Sequence, residues 1–244
     1  MQICSTDGLY ASIAGTGALG PFFPADVSAS PAEQAREVFR RIETALAARG
    51  MSWSDVVRTW FYLDGIFTWY SGFNSVRTSY FAEKNIVPPP ASTGIGLKTG
   101  EGALCAFVLA SKEPWRSVES PLQVPATSYR SSFSRAAESR GTLYVSGTAS
   151  ILPGSSEVAF PGDFAAQTGC ALDAVSAILE SRGCGWRDCT RAIVYCKDRD
   201  GIPAARAAVA ARGLDMSKTL FLQADVCRED WLFEIEADAA MRRE

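Results

Sequence analysis

The sequence predicts a mixed α/β fold of the α+β kind, built as two tandem units whose mixed sheets carry their helices on one face. Two observations lead there. First, the chain is written twice: Gln34, Gly50, Trp53, Asp55 and Tyr62 recur as Gln167, Gly183, Trp186, Asp188 and Tyr195, with the interval from Gln34 to Tyr62 repeated between Gln167 and Tyr195. Gly8-Leu9-Tyr10 is echoed in the same way by Thr142-Leu143-Tyr144. Second, each copy alternates strand and helix periodicities in the order strand, helix, strand, helix, strand, strand. The expected division is a first unit over residues 1–112, a linker over 113–125 that carries three prolines, and a second unit over 126–244.

The elements follow from local chemistry. Leu9 to Ala14 and Leu143 to Ile151 are apolar stretches with small residues and read as the opening strands. After a Pro- and Gly-rich loop, Ser30-Pro31 supplies a cap and a first turn, and Ala35, Val38, Phe39, Ile42 and Leu46 keep helical spacing to Arg49. In the second copy Phe164 to Arg182 does the same with Leu172, Val175, Ile178 and Leu179. Both helices stop at a glycine, Gly50 or Gly183, the residue that best tolerates a left-handed cap. A strand follows (Val56 to Leu63; Thr190 to Lys197), then a helix (Trp69 to Glu83; Pro203 to Ala211), then two closing strands.

Composition removes several function classes. With 24 basic and 27 acidic residues the net charge is −3, which gives no electrostatic reason for nucleic acid or an anionic membrane as partner. No apolar run approaches the roughly 20 residues of a membrane span, and Met1-Gln2-Ile3-Cys4 does not read as a secretory leader. A soluble, cytoplasmic protein is expected. The seven cysteines form no CxxC pair and read as small buried hydrophobes. There is no histidine, which removes Ser-His-Asp and Cys-His arrangements and the His-containing metal sites. Proton transfer is left to carboxylates, Cys, Lys or Tyr.

The two copies differ at their ends. The second closes with Cys227-Arg228-Glu229-Asp230-Trp231-Leu232-Phe233-Glu234-Ile235-Glu236-Ala237, the first with Leu104-Cys105-Ala106-Phe107-Val108-Leu109, which has no acid. A reactive group is therefore expected in the second half, and the first is expected to be degenerate. On that last strand Glu234 and Glu236 point opposite to Phe233 and Ile235. The pattern fits a solvent-facing edge, or an acid in a cleft walled by Trp231, Leu232 and Phe233, where burial would raise its affinity for a proton. Cys227 fits a nucleophile or a packing residue. Arg228 fits a carboxylate clamp or a surface cation beside Asp230. Tyr129-Arg130-Ser131-Ser132-Phe133-Ser134-Arg135-Ala136 is dense in hydroxyls and guanidinium groups, suited to a small dianion or to a polar loop. Ser146-Gly147-Thr148-Ala149-Ser150 lacks phosphate-loop spacing, and Trp69-Tyr70 with Phe73 reads as core.

Several of these segments together resemble a known family. The unit order and Phe233-Glu234-Ile235-Glu236-Ala237 resemble the RidA (YjgF) fold, also described as chorismate mutase-like. Trp60-Phe61-Tyr62-Leu63-Asp64, Trp69-Tyr70 with Phe73-Asn74, Val76-Arg77-Thr78 and Ser92-Thr93-Gly94-Ile95-Gly96 resemble the chorismatases, which share that fold. So do Ser120-Pro121-Leu122-Gln123, Ser131 to Ala136, Ser146 to Ile151, and Cys227 to Glu236. The resemblance implies an enol-ether lyase or hydrolase that removes the enolpyruvyl group of chorismate without a cofactor and releases pyruvate. It implies that Glu234 protonates the enolpyruvyl methylene. Cys227 resembles the branch that forms 3-hydroxybenzoate; the other branch stops at a dihydroxycyclohexadiene carboxylate. Tyr129, Arg135 and Arg228 would grip the carboxylates of this small-molecule substrate, with Ala149 shaping the ring pocket.

Neither half carries the Pro-x-Arg-Ser arginine of the deaminase branch: the corresponding places read Pro90-Ala91-Ser92-Thr93 and Ser217-Lys218-Thr219. The loop Leu152-Pro153-Gly154-Ser155-Ser156 replaces a Gly-His pair of the chorismatases, and the family usually carries a longer region before the first copy. Two other readings stay open: a lyase, hydrolase or dehydratase repurposed for another cyclic carboxylic acid in secondary metabolism, and a non-catalytic ligand-binding protein. The wider fold forms trimers around a barrel-like centre, so a two-unit chain either imitates part of that barrel alone or builds a homo-oligomer.

Overall fold

Strand-forming runs of β-branched and aromatic residues and helices with an apolar face assemble into two sheets with their helices in the computed structural model, which describes residues 4–241. The first half contains α1 (Thr6–Ala14), β1 (Leu19–Phe22), α2 (Pro31–Ala47), β2 (Val56–Leu63), α3 (Ile66–Glu83), β3 (Ala91–Gly96) and β4 (Leu104–Ala110). The second contains β5 (Trp115–Val118), β6 (Ala136–Ser139), β7 (Thr142–Ala149), α4 (Phe164–Glu180), β8 (Cys189–Cys196), α5 (Ile202–Ala211), β9 (Thr219–Gln223), β10 (Asp225–Val226) and β11 (Phe233–Ala240). Strand order is β1-β4-β2-β3-β10 in one sheet and β5-β6-β7-β11-β8-β9 in the other. Both sheets are mixed, because the pairs β2–β3 and β8–β9 are parallel while β2–β4 and β8–β11 are antiparallel.

The repeated residues hold the same places in both halves. Gln34 donates to the carbonyls of Val27 and Ala29 and accepts from the Ala103 amide; Gln167 donates to Phe160 and Asp230 and accepts from Leu232. Each glutamine ties the loop before its helix to the entry of the last strand. Asp55 and Asp188 close the same short turn, accepting from the amides of Ser52 and Gly185. Gly50 and Gly183 sit at φ of 63° and 68°, where a side chain would be strained. The α2 start carries a full capping box between Ser30 and Glu33, worth about 1 kcal/mol.

Helices α2 and α3 bury Val38, Phe39, Ile42 and Phe73 against the outer face of the first sheet. Helices α4 and α5 bury Leu172, Val175, Ile202 and Val209 against the second, where Phe233 and Ile235 meet them. The helix-free faces then pack on each other through Trp60, Tyr62 and Phe107 on one side and Ile193, Tyr195 and Leu222 on the other. Tyr62 and Tyr195, 133 residues apart, share a hydrogen bond of 3.0 Å across this seam. Among the described residues no helix is long and apolar enough to cross a membrane.

Three expectations change. Leu9 to Ala14 is not a strand but lies in α1: the Ser5 side chain caps it through the Gly8 amide, and Leu9 and Ile13, four apart, face the seam. The first strand is β1, which pairs with β4 as β7 pairs with β11. The segment 113–125 contributes β5, an edge strand paired with β6, so more than a linker runs there. Finally, β11 is no solvent-facing edge. It lies between β7 and β8, and every residue from Phe233 to Ala239 is buried.

Candidate active site

The central position of β11 puts Glu234 inside the molecule, facing a cavity between the two halves. Glu234 pairs in register with Ala149 on β7, so the neighbouring strand forms the floor beside it. Cys227, Arg228 and Trp231 come from the loop before β11, and Tyr129, Phe133 and Arg135 from the segment before β6. The first half supplies Ser92 and Gly94 from β3, with Tyr70 and Arg77 from one face of α3. The structure thus brings together Glu234, Cys227, Tyr129, Arg135, Arg228 and Ala149, all of the residues singled out from sequence. Tyr70, read as core, lines the cavity, while Phe73 beside it is fully buried in the first core.

Glu234 is only 4 % exposed and makes no hydrogen bond or ion pair among the described residues. Burial, reinforced by the neighbouring Glu236 charge, lifts its carboxyl to about 8, against a smaller opposing pull from Arg58 and Arg135. It is therefore predominantly protonated at neutral pH and can donate a proton. Glu236, two residues on and facing the same way, behaves oppositely. Burial works to raise it, but Arg58 and Arg191 outweigh that and hold it below the usual carboxylate range. Two carboxyls on one strand are thus pushed apart in proton affinity, the arrangement that separates an acid from a fixed charge. Gly147 makes room for the acid: a Cβ there would lie 2.0 Å from Glu234 Oε1.

Arg77, Arg135 and Arg228 form the opposite pole. None has a carboxylate partner among the described residues. Arg77 donates to Asn74 Oδ1 at 2.6 Å and lies over the Phe73 and Phe133 rings. Arg135 donates to the Val124 carbonyl and lies over Tyr129 and Phe133. Arg228 donates to the Ser156 carbonyl and stacks on Trp231 at 4.7 Å. Aromatic faces hold the guanidinium groups in place while leaving their charge for an anion. Burial pushes the Cys227 thiol up to about 12, so it enters the cavity as a neutral thiol and not as a thiolate nucleophile. Arg77 and Tyr70 escaped nomination from sequence. The helical spacing of Arg77 with Tyr70 on α3 is the signal that could have found them.

A buried acid without an ion-pair partner thus faces guanidinium groups without carboxylate partners, between two copies of one α/β unit in a RidA/YjgF-like fold. The chain belongs to the family described as Endoribonuclease L-PSP, whose model matches residues 5–99 and 125–241. It is 31% identical over 172 residues to a 3-hydroxybenzoate synthase of Streptomyces hygroscopicus, an alignment covering 60% of this chain and 49% of that protein. The chain thus spans about half the length of that curated relative. Among solved structures it is similar to a chorismatase, at 27% identity and a TM-score of 0.74, over 86% of this chain and 70% of the other.

Proposed function

We propose that the chain is an enzyme that removes the enolpyruvyl group of chorismate without a cofactor, with Glu234 as the acid. The observation that carries this reading is the Glu234 carboxyl, buried, unpaired and lifted to about 8, facing a cavity with unpaired guanidinium groups. The similarity to a 3-hydroxybenzoate synthase and to a chorismatase supports the choice of substrate.

Chorismate carries two carboxylates, and Arg77, Arg135 and Arg228 offer cations for both. The neutral Glu234 gives its proton to the enolpyruvyl methylene. The alkene pair forms the new C–H bond, and the ether oxygen stabilises the cationic carbon left behind. Its positive charge develops beside the carboxylate that Glu234 has become, so the transition state gains what the ground state lacks. Water adding to that carbon returns a proton to Glu234, and cleavage of the ether releases pyruvate and a dihydroxycyclohexadiene carboxylate. If a ring hydroxyl adds instead, loss of pyruvate and of a ring proton gives 3-hydroxybenzoate with no net water consumed. Cys227 lies beside Glu234 and Tyr70, where a neutral thiol controls which nucleophile reaches the cation. Ala149, in register with Glu234, leaves space for the ring.

Purified protein incubated with chorismate tests the reading. The wild-type chain releases pyruvate, and Glu234→Gln slows release by about 100- to 10,000-fold, the usual worth of a general acid. Cys227→Ala changes the ratio of ring products more than the rate of chorismate loss; an unchanged ratio sinks its role. The loop Leu152–Ser156, which supplies the Arg228 acceptor, favours a second reading in which the same acid serves another cyclic carboxylic acid. Inertness towards chorismate, with tight binding of a related cyclohexadiene carboxylate, selects that reading.

A further inference from the structure

Glu234 and Glu236, neighbours on the inner face of β11, share their surroundings very unequally. Glu236 Oε1 accepts from Trp60 Nε1 at 2.8 Å and from Arg191 Nη2 at 2.9 Å. Its Oε2 lies 3.1 Å from Arg58 Nη2 and 3.4 Å from the Tyr195 hydroxyl. Arg191 is held from its other side by Asp238 at 2.7 Å. Glu234 takes none of these donors. Arg58 and Arg191 occupy the same position of the two copies, at the offset of 133 that separates Tyr62 from Tyr195, and both converge on one carboxylate. The first copy has no acid to match: Trp60 faces Phe107 in register where Ile193 faces Glu236.

Arg58 is nevertheless within reach of the acid. It donates to Thr93 Oγ1 at 2.7 Å, and Thr93 borders the same point beside Gly147 that the Glu234 carboxyl occupies. A Cβ on Gly147 would lie 3.1 Å from Thr93 Cγ2 and 2.0 Å from Glu234 Oε1. Without Glu236, Arg58, still held by the Val145 carbonyl and Thr93 Oγ1, would act with its full charge on Glu234, the buried carboxyl it already pulls towards ionisation. A cation at close range typically lowers a carboxyl by about one to three pH units, enough to strip its proton at neutral pH.

We propose that Glu236 is a positioning residue that sequesters Arg58, so that Glu234 meets the substrate with its proton. The inference deepens the function proposed above and rests on Glu234 being its acid. The other groups facing Glu234 do not do this work. Burial keeps the Tyr70 and Cys227 protons on, so neither adds a charge. Arg135 pulls Glu234 towards ionisation, but two of its nitrogens are committed to the Val124 carbonyl. Arg77, Arg228 and Tyr129 line the substrate side of the cavity. Only Arg58 is a cation whose sole carboxylate partner, among the described residues, is Glu236.

The test reads the proton on Glu234 directly, through the infrared carbonyl band of a protonated carboxyl, alongside the pH dependence of kcat/KM with chorismate. The wild-type band, identified by its loss in Glu234→Gln, is expected to titrate near pH 8. In Glu236→Gln it is expected to titrate at least one pH unit lower, and the alkaline limb of the rate profile to move with it. In the double variant Glu236→Gln with Arg58→Met, which removes both charges and keeps the core filled, the band is expected to persist at neutral pH. That second variant stands even where the single one does not fold. A Glu236→Gln band that titrates as in wild type overturns the proposal, and so does a double variant whose Glu234 ionises as an ordinary carboxylate. A band that falls in Glu236→Gln and is restored when Arg58→Met is added, in a protein inert to chorismate, upholds the role of Glu236 and defeats only the substrate reading, because loss of the Glu236 charge alone also lowers Glu234. Intact turnover with an unmoved band does the reverse.

Discussion

Gly147 is bare because Glu234 needs the space, and this single contact gives the sharpest test of the acid's placement. A Cβ added there would lie 2.0 Å from Oε1, so Gly147→Ala forces the carboxyl to swing away. The backbone at Gly147 is not left-handed, so the substitution adds no backbone strain of its own. Turnover is expected to fall by about 100-fold from the loss of geometry alone, with little change in melting temperature. The proton on Glu234 also couples to stability. Its folded-state value, about 8, lies above the ordinary glutamate value of 4.5, so the native state binds the proton more tightly than the unfolded chain does. The stabilisation is full below about pH 4.5 and is lost as pH rises through 8. Thermal melts between pH 5 and pH 9 should show Glu234→Gln with a flatter profile than wild type; parallel profiles would contradict the raised value. At this scale Glu234 could be singled out from sequence because only the second copy carries acids on its closing strand, and because Cys227 to Glu236 resembles the chorismatase pattern. Arg77 was not singled out, because a lone arginine on an aromatic helix looks the same whether it meets solvent or a cavity, and only its helical spacing with Tyr70 marks the shared face.

Strand β11 carries the charge that distinguishes the two copies. Its inner face presents Glu234, Glu236 and Asp238, whereas the matching face of β4 presents Cys105, Phe107 and Leu109. Arg191 bridges Glu236 and Asp238 at 2.9 and 2.7 Å. Arg191→Met leaves both carboxylates short of a cation and should destabilise the protein by about 3–5 kcal/mol in urea unfolding. A cost below 1 kcal/mol would show the network to be solvated. Alternation along the strand was legible, since Phe233 and Ile235 do face the helices. Its place in the sheet was not, because period-two patterning is the same for an edge and for a centre strand with a polar inner face. The helix pairs were legible from spacing and caps, whereas α1 was misread. Over so short a run the apolar pattern of Leu9 to Ala14 does not separate helix from strand, and only the Ser5 cap decides it.

The molecule as a whole is a duplicated unit whose two copies have divided their labour. Gln34 and Gln167 do the same structural work, so Gln34→Ala and Gln167→Ala should each cost about 1–3 kcal/mol through buried groups left unpaired. Only the second copy keeps the acid, and only the first contributes the α3 face with Tyr70 and Arg77. The site therefore exists only when both halves are folded against each other along the Trp60, Tyr62, Ile193 and Tyr195 seam. The duplication was plain from residues such as Trp53 and Trp186. The way the halves meet was not, because nothing in the spacing of Tyr62 and Tyr195 says that their hydroxyls touch.

The proposed proton transfer from Glu234 to an enol ether is measured most directly as pyruvate formed from chorismate by wild-type protein and by Glu234→Gln at pH 7. Pyruvate released by the wild type, and at least 100-fold more slowly by a folded Glu234→Gln that still binds chorismate, is the expected result. Equal rates from the two proteins, or no pyruvate from well-folded wild type, would contradict it.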